Sequence, residues 1–502
     1  MVAATDAAVA LNRFGLGARL DEPTPENPKR WLTAQFDAYD PKPPAIAVLP
    51  GRGPVAAQLA DYQEQSRMVR QQRGTAAATA SQQPQGMAPG AQMTPNMPAA
   101  TQPPGVDKDD PVERARAFAR RQGRDFYVNA VGGRAQAALL TTTPFVERLV
   151  HFWANHFAVS IDKVTTVGLS GVMEFEAIRP HVLGNFGEML GAVEHHPAML
   201  LYLDQAQSAG PNSFLGNRAG ARGRKVGLNE NLAREIMELH TLGVRTGYDQ
   251  ADVTEFARAM TGWTVAGLGQ GPGARLAGVD GQPGDFIFAD RLHEPGARTI
   301  MGKSYAEGGE RQAQAVLSDL AVHPATARHI ATKLARHFVA DDPPPALVAR
   351  MEAAFLKSGG DLPAVYRVLI DSPEAWSPTQ AKFKTPWEWS ISTMRALGQK
   401  TVQPLVITGL TNQLGQPIWR PGSPAGYDDI AASWAGPDAI LRRVGAAERF
   451  ATRAGATIDA RELAPKLFPA SVTPATAQSL ARAESPGQAL ALLLVAPEFM
   501  RR

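Results

Sequence analysis

The sequence predicts a mainly α-helical protein, folded as a globular bundle of many helices. Helix-start signals recur along the chain, and apolar residues follow them at helical spacing, whereas no alternation of strands with helices is seen. The clearest of these signals are at Thr143, Asp249, His323 and Pro386. With 44% apolar and 20% charged residues, the 502-residue chain has the composition of an ordinary globular protein, which excludes wholesale disorder.

The four clearest helices can be followed from their caps to their ends. Thr143 is followed by Pro144, and proline is favoured in the first helical turn. Asp249 is followed three positions later by the acidic residue Asp252. The helix that begins at His323 stops before two aspartates and three prolines, because proline cannot continue a helix. The last apolar or aromatic positions of these helices are His156, Trp263, Phe338 and Leu397.

One region departs from the helical pattern. Residues 285–305 contain two short β-prone runs, Phe286–Phe288 and Thr299–Met301, on either side of a loop at His293. This pattern predicts a small β-hairpin in which the two runs pair and the loop forms the tip.

A low-complexity segment divides the chain. Residues near 75–110 are rich in Gln, Pro, Ala, Gly and Met and lack aliphatic periodicity. Such a segment cannot bury enough apolar surface to offset its ordering entropy, so it predicts a disordered insertion. We therefore expect an N-terminal helical segment at 1–73 that packs on the main body, the insertion at 74–111, and a main helical domain at 112–502.

Charge and cysteine content exclude several classes of protein. The 51 Lys and Arg residues against 48 Asp and Glu give a net charge of +3, and the basic run from Arg218 to Lys225 has no aromatic residue. We therefore expect no nucleic-acid partner. Without cysteine, the chain has no disulfide, thiolate metal site or cysteine nucleophile.

Targeting signals are not evident in the sequence. The N-terminal residues lack the pattern of a signal peptide. The longest aliphatic run, Ala489–Ala496, is too short to span a membrane, which needs about 20 apolar residues. By these signals alone, we expect a cytoplasmic protein without a membrane span.

Three polar residues share one face of the helix predicted near residue 235. Asn231, Glu235 and Glu238 stand at positions i, i+4 and i+7. Two carboxylates one helical turn apart shift each other's pKa or hold a cation between them, as acid–base and metal chemistry require. We therefore assign Glu235 and Glu238 as candidate catalytic residues, and Asn231 and Arg258 as candidate substrate-binding residues. A solvent-facing stripe, or pairing with arginines such as Arg234, is the alternative.

Histidines provide further candidates. His156, beside Asn155, belongs to an aromatic helix, and a buried imidazole needs partners for both nitrogens. His293 lies on a loop that can deliver it to a site formed elsewhere. We assign His156 and His293 as candidate catalytic residues, and Asn155 and Trp263 as candidate substrate-binding residues. His240 faces away from Glu238, and a buried histidine bonded to a backbone carbonyl is its alternative. For a divalent metal as cofactor, the candidate ligands are Glu235, Glu238, His156 and His240.

Several long motifs occur in a fixed order over nearly the whole chain except the insertion. They are RFG at 13–15, FWANHF at 152–157, NENLAREIMELHTLG at 229–243, DVTEFARAMTGW at 252–263, HEPGARTIMG at 293–302, HPATARHIATKLARHF at 323–338, FKTPWEWS at 383–390 and APEFMRR at 496–502. Together they resemble an uncharacterised bacterial family catalogued as domain of unknown function eighteen hundred. The resemblance implies a periplasmic or secreted protein, and a sulfatase-like or phosphatase-like partner protein. It implies no reaction.

Two classes of function follow as hypotheses. In the first, the protein is a hydrolase or lyase that acts on an envelope or extracellular polymer, with its site where the Asn231, Glu235 and Glu238 stripe meets His156 and the His293 loop. In the second, it is a non-catalytic helical scaffold or assembly factor for a partner enzyme, and the carboxylates are locked in buried arginine pairs. Whether the four candidate catalytic residues line one cavity distinguishes the two hypotheses.

Overall fold

The structure is a computed structural model, and it describes residues 5–80, 111–223, 227–268, 281–455 and 457–502. Within these ranges it gives no account of the side chains of residues 69–70, 72–80 and 111–120.

Helices dominate the described chain and confirm the predicted fold class. The first twelve α-helices are α1 (Asp6–Val9), α2 (Pro28–Ala38), α3 (Pro44–Ala47), α4 (Arg52–Ala80), α5 (Pro111–Leu140), α6 (Pro144–His156), α7 (Leu169–Met173), α8 (Phe186–Glu194), α9 (Pro197–Tyr202), α10 (Phe214–Gly220), α11 (Asn231–Glu235) and α12 (Gln250–Ala259). Wider π-helical turns continue α1, α7 and α11 through Ala10–Phe14, Glu174–Ile178 and Ile236–His240.

Four short strands follow before the chain returns to helix. They are β1 (Trp263–Val265), β2 (Phe286–Phe288), β3 (Arg298–Ile300) and β4 (Lys303–Tyr305). The helices after them are α13 (Glu310–Ala321), α14 (Pro324–Phe338), α15 (Pro345–Ser358), α16 (Leu362–Asp371), α17 (Pro386–Ala396), α18 (Pro404–Gln413), α19 (Ala431–Trp434), α20 (Pro437–Ala454), α21 (Ala460–Leu467), α22 (Pro474–Ala481), α23 (Pro486–Leu494) and α24 (Pro497–Met500).

The four predicted helix starts are confirmed, and three of them have side-chain capping contacts, whereas Thr143 makes none at the start of α6. Asp249 and Asp252 form a reciprocal capping box at the start of α12, and Thr385 and Glu388 form another at the start of α17. The side chain of His323 accepts from a backbone N–H in the first turn of α14. These contacts satisfy backbone donors that the helix itself cannot pair.

The β-structure differs from the sequence prediction in its pairing. A hairpin does lie within 285–305, but it joins β3 to β4, whereas β2 pairs with β1. The prediction that 286–288 pairs with 299–301 is therefore wrong. The turn between β3 and β4 consists of Met301 and Gly302, both with positive φ (50° and 75°), which is the geometry of a two-residue hairpin turn.

The predicted insertion at 74–111 overlaps the described residues only at its two ends. Helix α4 continues to Ala80, five residues past the expected start of the disordered insertion, because the sequence there is rich in alanine, the strongest helix former. Most of that insertion, 81–110, lies outside the described residues.

None of the helices that are described is both long and apolar enough to cross a lipid bilayer.

Two hydrophobic clusters hold the helices together. The first includes Phe145 and Trp153 of α6 with the apolar faces of α8, α12, α14 and α16. The second is built from α5, α17, α20, α21 and α23. The N-terminal residues contact both, since Phe14 belongs to the first cluster and Leu11 to the second. The ring of Phe14 lies 5.6 Å from that of Phe145.

Buried ion pairs connect elements within the first cluster. Both terminal nitrogens of Arg179 donate to the carboxylate of Glu147 on α6 at 2.8 Å, and both side chains are 1% exposed. Burial alone raises the pKa of Glu147, but Arg179 more than offsets this and holds that pKa below its ordinary value. This pair joins α6 to the turn that follows α7.

Removal of Arg179 should destabilise the fold strongly. Breaking a buried pair from one side leaves an uncompensated charge, so R179M should lower the free energy of unfolding by about 3–5 kcal/mol in chemical denaturation. The matched control is R234M, because Arg234 pairs with Glu230 on the surface, where both side chains are about one-third exposed. That change should cost about 1 kcal/mol or less. Equal losses in both variants would contradict the prediction.

Candidate functional site

A cavity of about 500 Å³ lies where the two hydrophobic clusters meet. Helices α6 and α14 of the first cluster form one wall. Helix α5, the start of α17 and the segment 416–430 form the other wall. Ligand sites are often found between such units, because side chains from separate elements converge there.

A histidine–aspartate pair lies in the wall formed by α14. The Nδ1 atom of His337 donates to Oδ2 of Asp429 at 2.6 Å, and its Nε2 atom is buried without a hydrogen-bond partner among the described residues. This arrangement leaves the lone pair on Nε2. Burial lowers the pKa of His337 more than Asp429 raises it, so the pKa lies below its ordinary value of 6.5. The imidazole is therefore a neutral base at pH 7.

Two cationic side chains lie on the same helix as His337. Lys333 is about one helical turn before it, and Arg336 is its neighbour in sequence. Lys333 has no hydrogen bond or ion pair with the described residues, and burial lowers its pKa to about 8. Arg336 uses only Nε, which donates to the carbonyl oxygen of Asp341 at 3.1 Å. The Nζ of Lys333 and the terminal nitrogens of Arg336 are therefore uncommitted donors at the cavity wall.

A third cation, Arg134 of α5, is held on the opposite wall. Its Nε donates to both carboxylate oxygens of Glu174, at 3.0 and 2.9 Å. Its guanidinium carbon lies 4.3 Å from the ring centre of Trp387 and 5.6 Å from that of Trp419. Neither terminal nitrogen bonds to any described residue.

Glu388 is the carboxylate at the start of α17. Its Oε1 is paired with Arg148 and with Arg502, the latter at 3.0 Å, and its Oε2 accepts the backbone N–H of Thr385 at 2.9 Å. Although burial raises the pKa of Glu388, the two arginines more than offset this and hold it low. Glu388 thus stays ionised and fully bonded.

Two of the three aspartates in the lining, Asp341 and Asp429, are occupied in the same way, whereas the exposed Asp428 accepts only from the hydroxyl of Ser433 among the described residues, at 2.8 Å. Asp341 accepts from Lys382 at 2.6 Å and from the backbone N–H of Ala431 at 2.7 Å. Asp429 accepts from His337 through one oxygen, and Lys382 lies 3.2 Å from the other. These acceptors are satisfied while several donors are not, so the cavity offers free hydrogen-bond donors to a ligand.

Two further histidines line the cavity from α6. His156 donates through Nε2 to the carbonyl oxygen of His240 at 3.1 Å, and its Nδ1 is buried without a partner. His151 accepts through Nδ1 from the indole N–H of Trp387 at 3.1 Å. Burial lowers the pKa of His151 to about 3, so it is neutral.

Asn155 fixes the segment that covers the cavity. Its side-chain amide donates to the carbonyl oxygen of Tyr427 and accepts from the backbone N–H of Tyr427, both at 2.8 Å. The hydroxyl of Tyr427 in turn donates to the carbonyl of Pro417 at 2.5 Å. The amide predicted to bind substrate is therefore used to position the segment 416–430.

The predicted carboxylate stripe lies away from this cavity. Glu238 is 3.5 Å from Arg234 in an i, i+4 pair and is one-quarter exposed, which is the alternative weighed from the sequence. Glu235 is half-buried, and burial raises its pKa, but it forms no ion pair with the described residues. Asn231 is exposed.

The other candidates form contacts of their own. His293 donates through Nδ1 to the carbonyl of Thr261 at 2.9 Å, and Arg258 pairs with Glu255. Trp263 is fully buried. Of the four candidate catalytic residues, only His156 lines the cavity. The expected meeting of Glu235, Glu238 and His293 with His156 in this cavity does not occur, because these three residues belong to elements that do not line it.

The metal ligands proposed from the sequence are likewise separated. His240 is buried as expected, but its Nδ1 donates to the carboxylate of Glu194 at 2.8 Å rather than to a backbone carbonyl. Within the described ranges, no three His, Asp or Glu side chains converge in a way that could hold a metal ion. Glu235, Glu238, His156 and His240 therefore form no such group.

Several residues of the cavity were not chosen from the sequence, although a signal for some was present. Lys333 and His337 stand four positions apart within HPATARHIATKLARHF, which places them on one helix face. Trp387 and Glu388 belong to FKTPWEWS. Arg134 and Asp429 lie in no recognised motif, because only the tertiary fold brings them to the cavity.

The fold and site define a helical protein with a cation-lined cavity between two hydrophobic clusters. Residues 9–501 match the family described as protein of unknown function DUF1800, and the chain belongs to this family. No curated protein and no solved structure matches the chain.

The segment 416–430, which lines the cavity, contains a glycine whose substitution tests the conformation of this segment. Gly426 has φ of 82°, and a Cβ atom there would overlap the carbonyl oxygen of Asn155. G426A should therefore cost about 1–3 kcal/mol in the free energy of unfolding, and should speed amide hydrogen exchange in 416–430. In the control G422A, the added Cβ meets no atom within 4 Å, and stability should be unchanged. Equal exchange in the two variants would refute this prediction.

Proposed function

We propose that the protein is an enzyme of the hydrolase or lyase class that acts on an anionic substrate, with His337 as its general base. The observation that carries the proposal is the His337–Asp429 pair, which lines the cavity together with Lys333 and Arg336 and in which Nε2 of His337 is buried without a hydrogen-bond partner among the described residues. A carboxylate on Nδ1 fixes the tautomer and orientation of an imidazole, which is the usual support for a histidine base.

The same base can serve either reaction class. In hydrolysis, Nε2 takes a proton from a water molecule whose oxygen attacks the electrophilic centre, and the leaving group then takes a proton from His337. In elimination, Nε2 takes the proton from a carbon next to an acid group, and the leaving oxygen departs from the adjacent carbon. In both, Lys333 and Arg336 offset negative charge that develops on the substrate.

The arrangement does not favour a mechanism with two free carboxyl groups. Glycosidases commonly use one carboxylic acid and one carboxylate on either side of the bond. Here Glu388, Asp341 and Asp429 are bound by arginines, lysine or backbone N–H groups, which leaves Asp428 as the single lining carboxylate without a cation among the described residues. We therefore place the base at His337, and we narrow the envelope or extracellular polymer expected from the sequence to an acidic one.

The second candidate is a non-catalytic scaffold or assembly factor for a sulfatase-like or phosphatase-like partner in the periplasm or outside the cell. Buried pairs such as Glu147–Arg179 and Glu388–Arg148 support it, since such pairs serve structure alone. They involve other carboxylates than Glu235 and Glu238. The absence of Glu235, Glu238 and His293 from the cavity counts against the enzyme with the residues predicted from the sequence, so the enzyme proposed here depends on His337 instead. A scaffold would not depend on the free nitrogen of His337.

Loss of the base should abolish turnover without unfolding the protein. Wild type should cleave one of a panel of acidic polymers, namely polyuronates, sulfated polysaccharides and phosphate-containing wall polymers, assayed by reducing ends and by unsaturated products. H337Q should reduce kcat/KM by about 10²–10⁴-fold. D429N should also reduce it, because the amide disturbs the tautomer of His337. Thermal melting should show that both variants remain folded.

The control is H181Q, since His181 lies outside the cavity and bonds only to a nearby backbone carbonyl. It should retain wild-type activity. The proposal is wrong if wild type cleaves no polymer of the panel, or if H337Q is as active as wild type.

The pH dependence should follow the two groups on α14. His337 must be neutral, so kcat/KM should rise with pH through a pKa below 6.5. Lys333 must be protonated to attract the anionic substrate, so kcat/KM should fall again above about pH 8. In K333R the side chain stays charged, and the alkaline fall should move to higher pH. An alkaline limb that is identical in K333R and wild type would rule out Lys333 as its source.

A further inference from the structure

We infer that Arg134 is the specificity-determining residue of the cavity and that it binds a carboxylate group of the substrate. The inference rests on the proposed function only in taking the ligand to be the substrate. It adds the chemical class of the anion and the residue that recognises it.

The first argument is the geometry of the donors that Arg134 leaves free. A guanidinium has five N–H donors in a planar fork. The single Nε–H is committed to Glu174. The two terminal nitrogens, which bond to no described residue, form the end of the fork. That pair matches the two oxygens of one carboxylate in a bidentate contact.

The second argument is that the guanidinium is already fixed in place. Trp387 and Trp419 lie against it, and the arginine is 6% exposed. Trp419 also donates through its indole N–H to Glu174 at 3.0 Å, so one carboxylate orients both the arginine and an indole beside it. The other indole is oriented by His151. A ligand therefore meets a pre-organised fork and pays little conformational entropy to order it.

The third argument concerns charge. Burial raises the pKa of Glu174, and Arg134 opposes that rise. As a carboxylate, Glu174 offsets the charge of Arg134, so the pair as a whole is close to neutral. A dianion such as a phosphate monoester would be repelled by Glu174, whereas a single carboxylate can use the fork at a smaller electrostatic cost. Lys333 and Arg336 also line the cavity and can offset other charge on the ligand. The class of substrate is thus a carboxylate-bearing compound, such as an acidic sugar or its polymer.

Binding of a small probe tests the inference without turnover. Isothermal titration calorimetry should show that wild type binds glucuronate, and that it binds neither glucose nor inorganic phosphate as tightly. R134K keeps the charge but loses the fork, so it should weaken glucuronate binding by about 10- to 100-fold, the usual value of hydrogen bonds to a charged group. R350K is the matched control, because Arg350 pairs with Glu374 on the surface and does not line the cavity, and it should change binding by less than about threefold.

A second variant, E174Q, retains Arg134, so it tests the inference even when R134K does not fold. The neutral amide removes the charge that offsets the guanidinium, so glucuronate should bind more tightly to E174Q than to wild type. Weaker or unchanged binding would count against the inference.

The remaining outcomes separate this inference from the proposed function. Equal glucuronate affinity in R134K and wild type overturns the role of Arg134, and a preference of wild type for phosphate overturns the carboxylate assignment. If R134K loses glucuronate while H337Q keeps its polymer turnover, the binding site stands and the assigned base is wrong. If H337Q loses polymer turnover and R134K binds glucuronate normally, the assigned base stands and the role of Arg134 is wrong.

Discussion

Both the packing of the helices and the cavity depend on the ion pairs that Glu388 forms with Arg148 and Arg502. Through Arg148, this carboxylate is connected to α6 and to the N-terminal residues, because Nε of Arg148 donates to the carbonyl of Gly15 at 2.8 Å. Through Arg502, it is connected to α14, since Arg502 donates to the carbonyl of His337 at 2.5 Å. One carboxylate thus joins four parts of the chain beneath the cavity wall. Its replacement would leave two buried cations uncompensated.

Much of the fold can be predicted from local signals. Caps such as Asp249 and Thr385 define helix starts within a few residues of sequence, so the helical class follows from them. Strand pairing could not be predicted in the same way. The partner of β2 is β1, about twenty residues earlier in the chain, and neither periodicity nor turn composition indicates that contact. The two-residue turn at Met301–Gly302 is not one of the Asn-Gly or Asp-Gly pairs that mark a hairpin in sequence, so its composition does not indicate the pairing of β3 with β4.

The candidate site was harder to predict for a physical reason. Spacing within one helix predicts that Glu235 and Glu238 share a face, but it says nothing about which helices meet. The cavity combines α5, α6, α14 and α17, so its members are separated by up to three hundred residues of sequence. His156 was identified because its helix is aromatic throughout. Arg134 carries no such signal, and its role depends on Trp387, Trp419 and Glu174, which come from three other parts of the chain.

Burial has opposite chemical consequences for two neighbours on α14, and this explains how a base and a cation can share one wall. Desolvation disfavours the charged form of both side chains. It brings the pKa of His337 below 6.5, so the imidazole is neutral at pH 7 and can accept a proton. It brings the pKa of Lys333 only to about 8, so the ammonium keeps its charge at the same pH. Because the ordinary pKa values start about four units apart, one environment produces a free base and a free cation in the same pH range. A solvent-exposed helix face with the same residues would have a more protonated histidine near pH 6 and a fully hydrated lysine. The value of placing these residues at the junction of two hydrophobic clusters is therefore electrostatic as well as geometric.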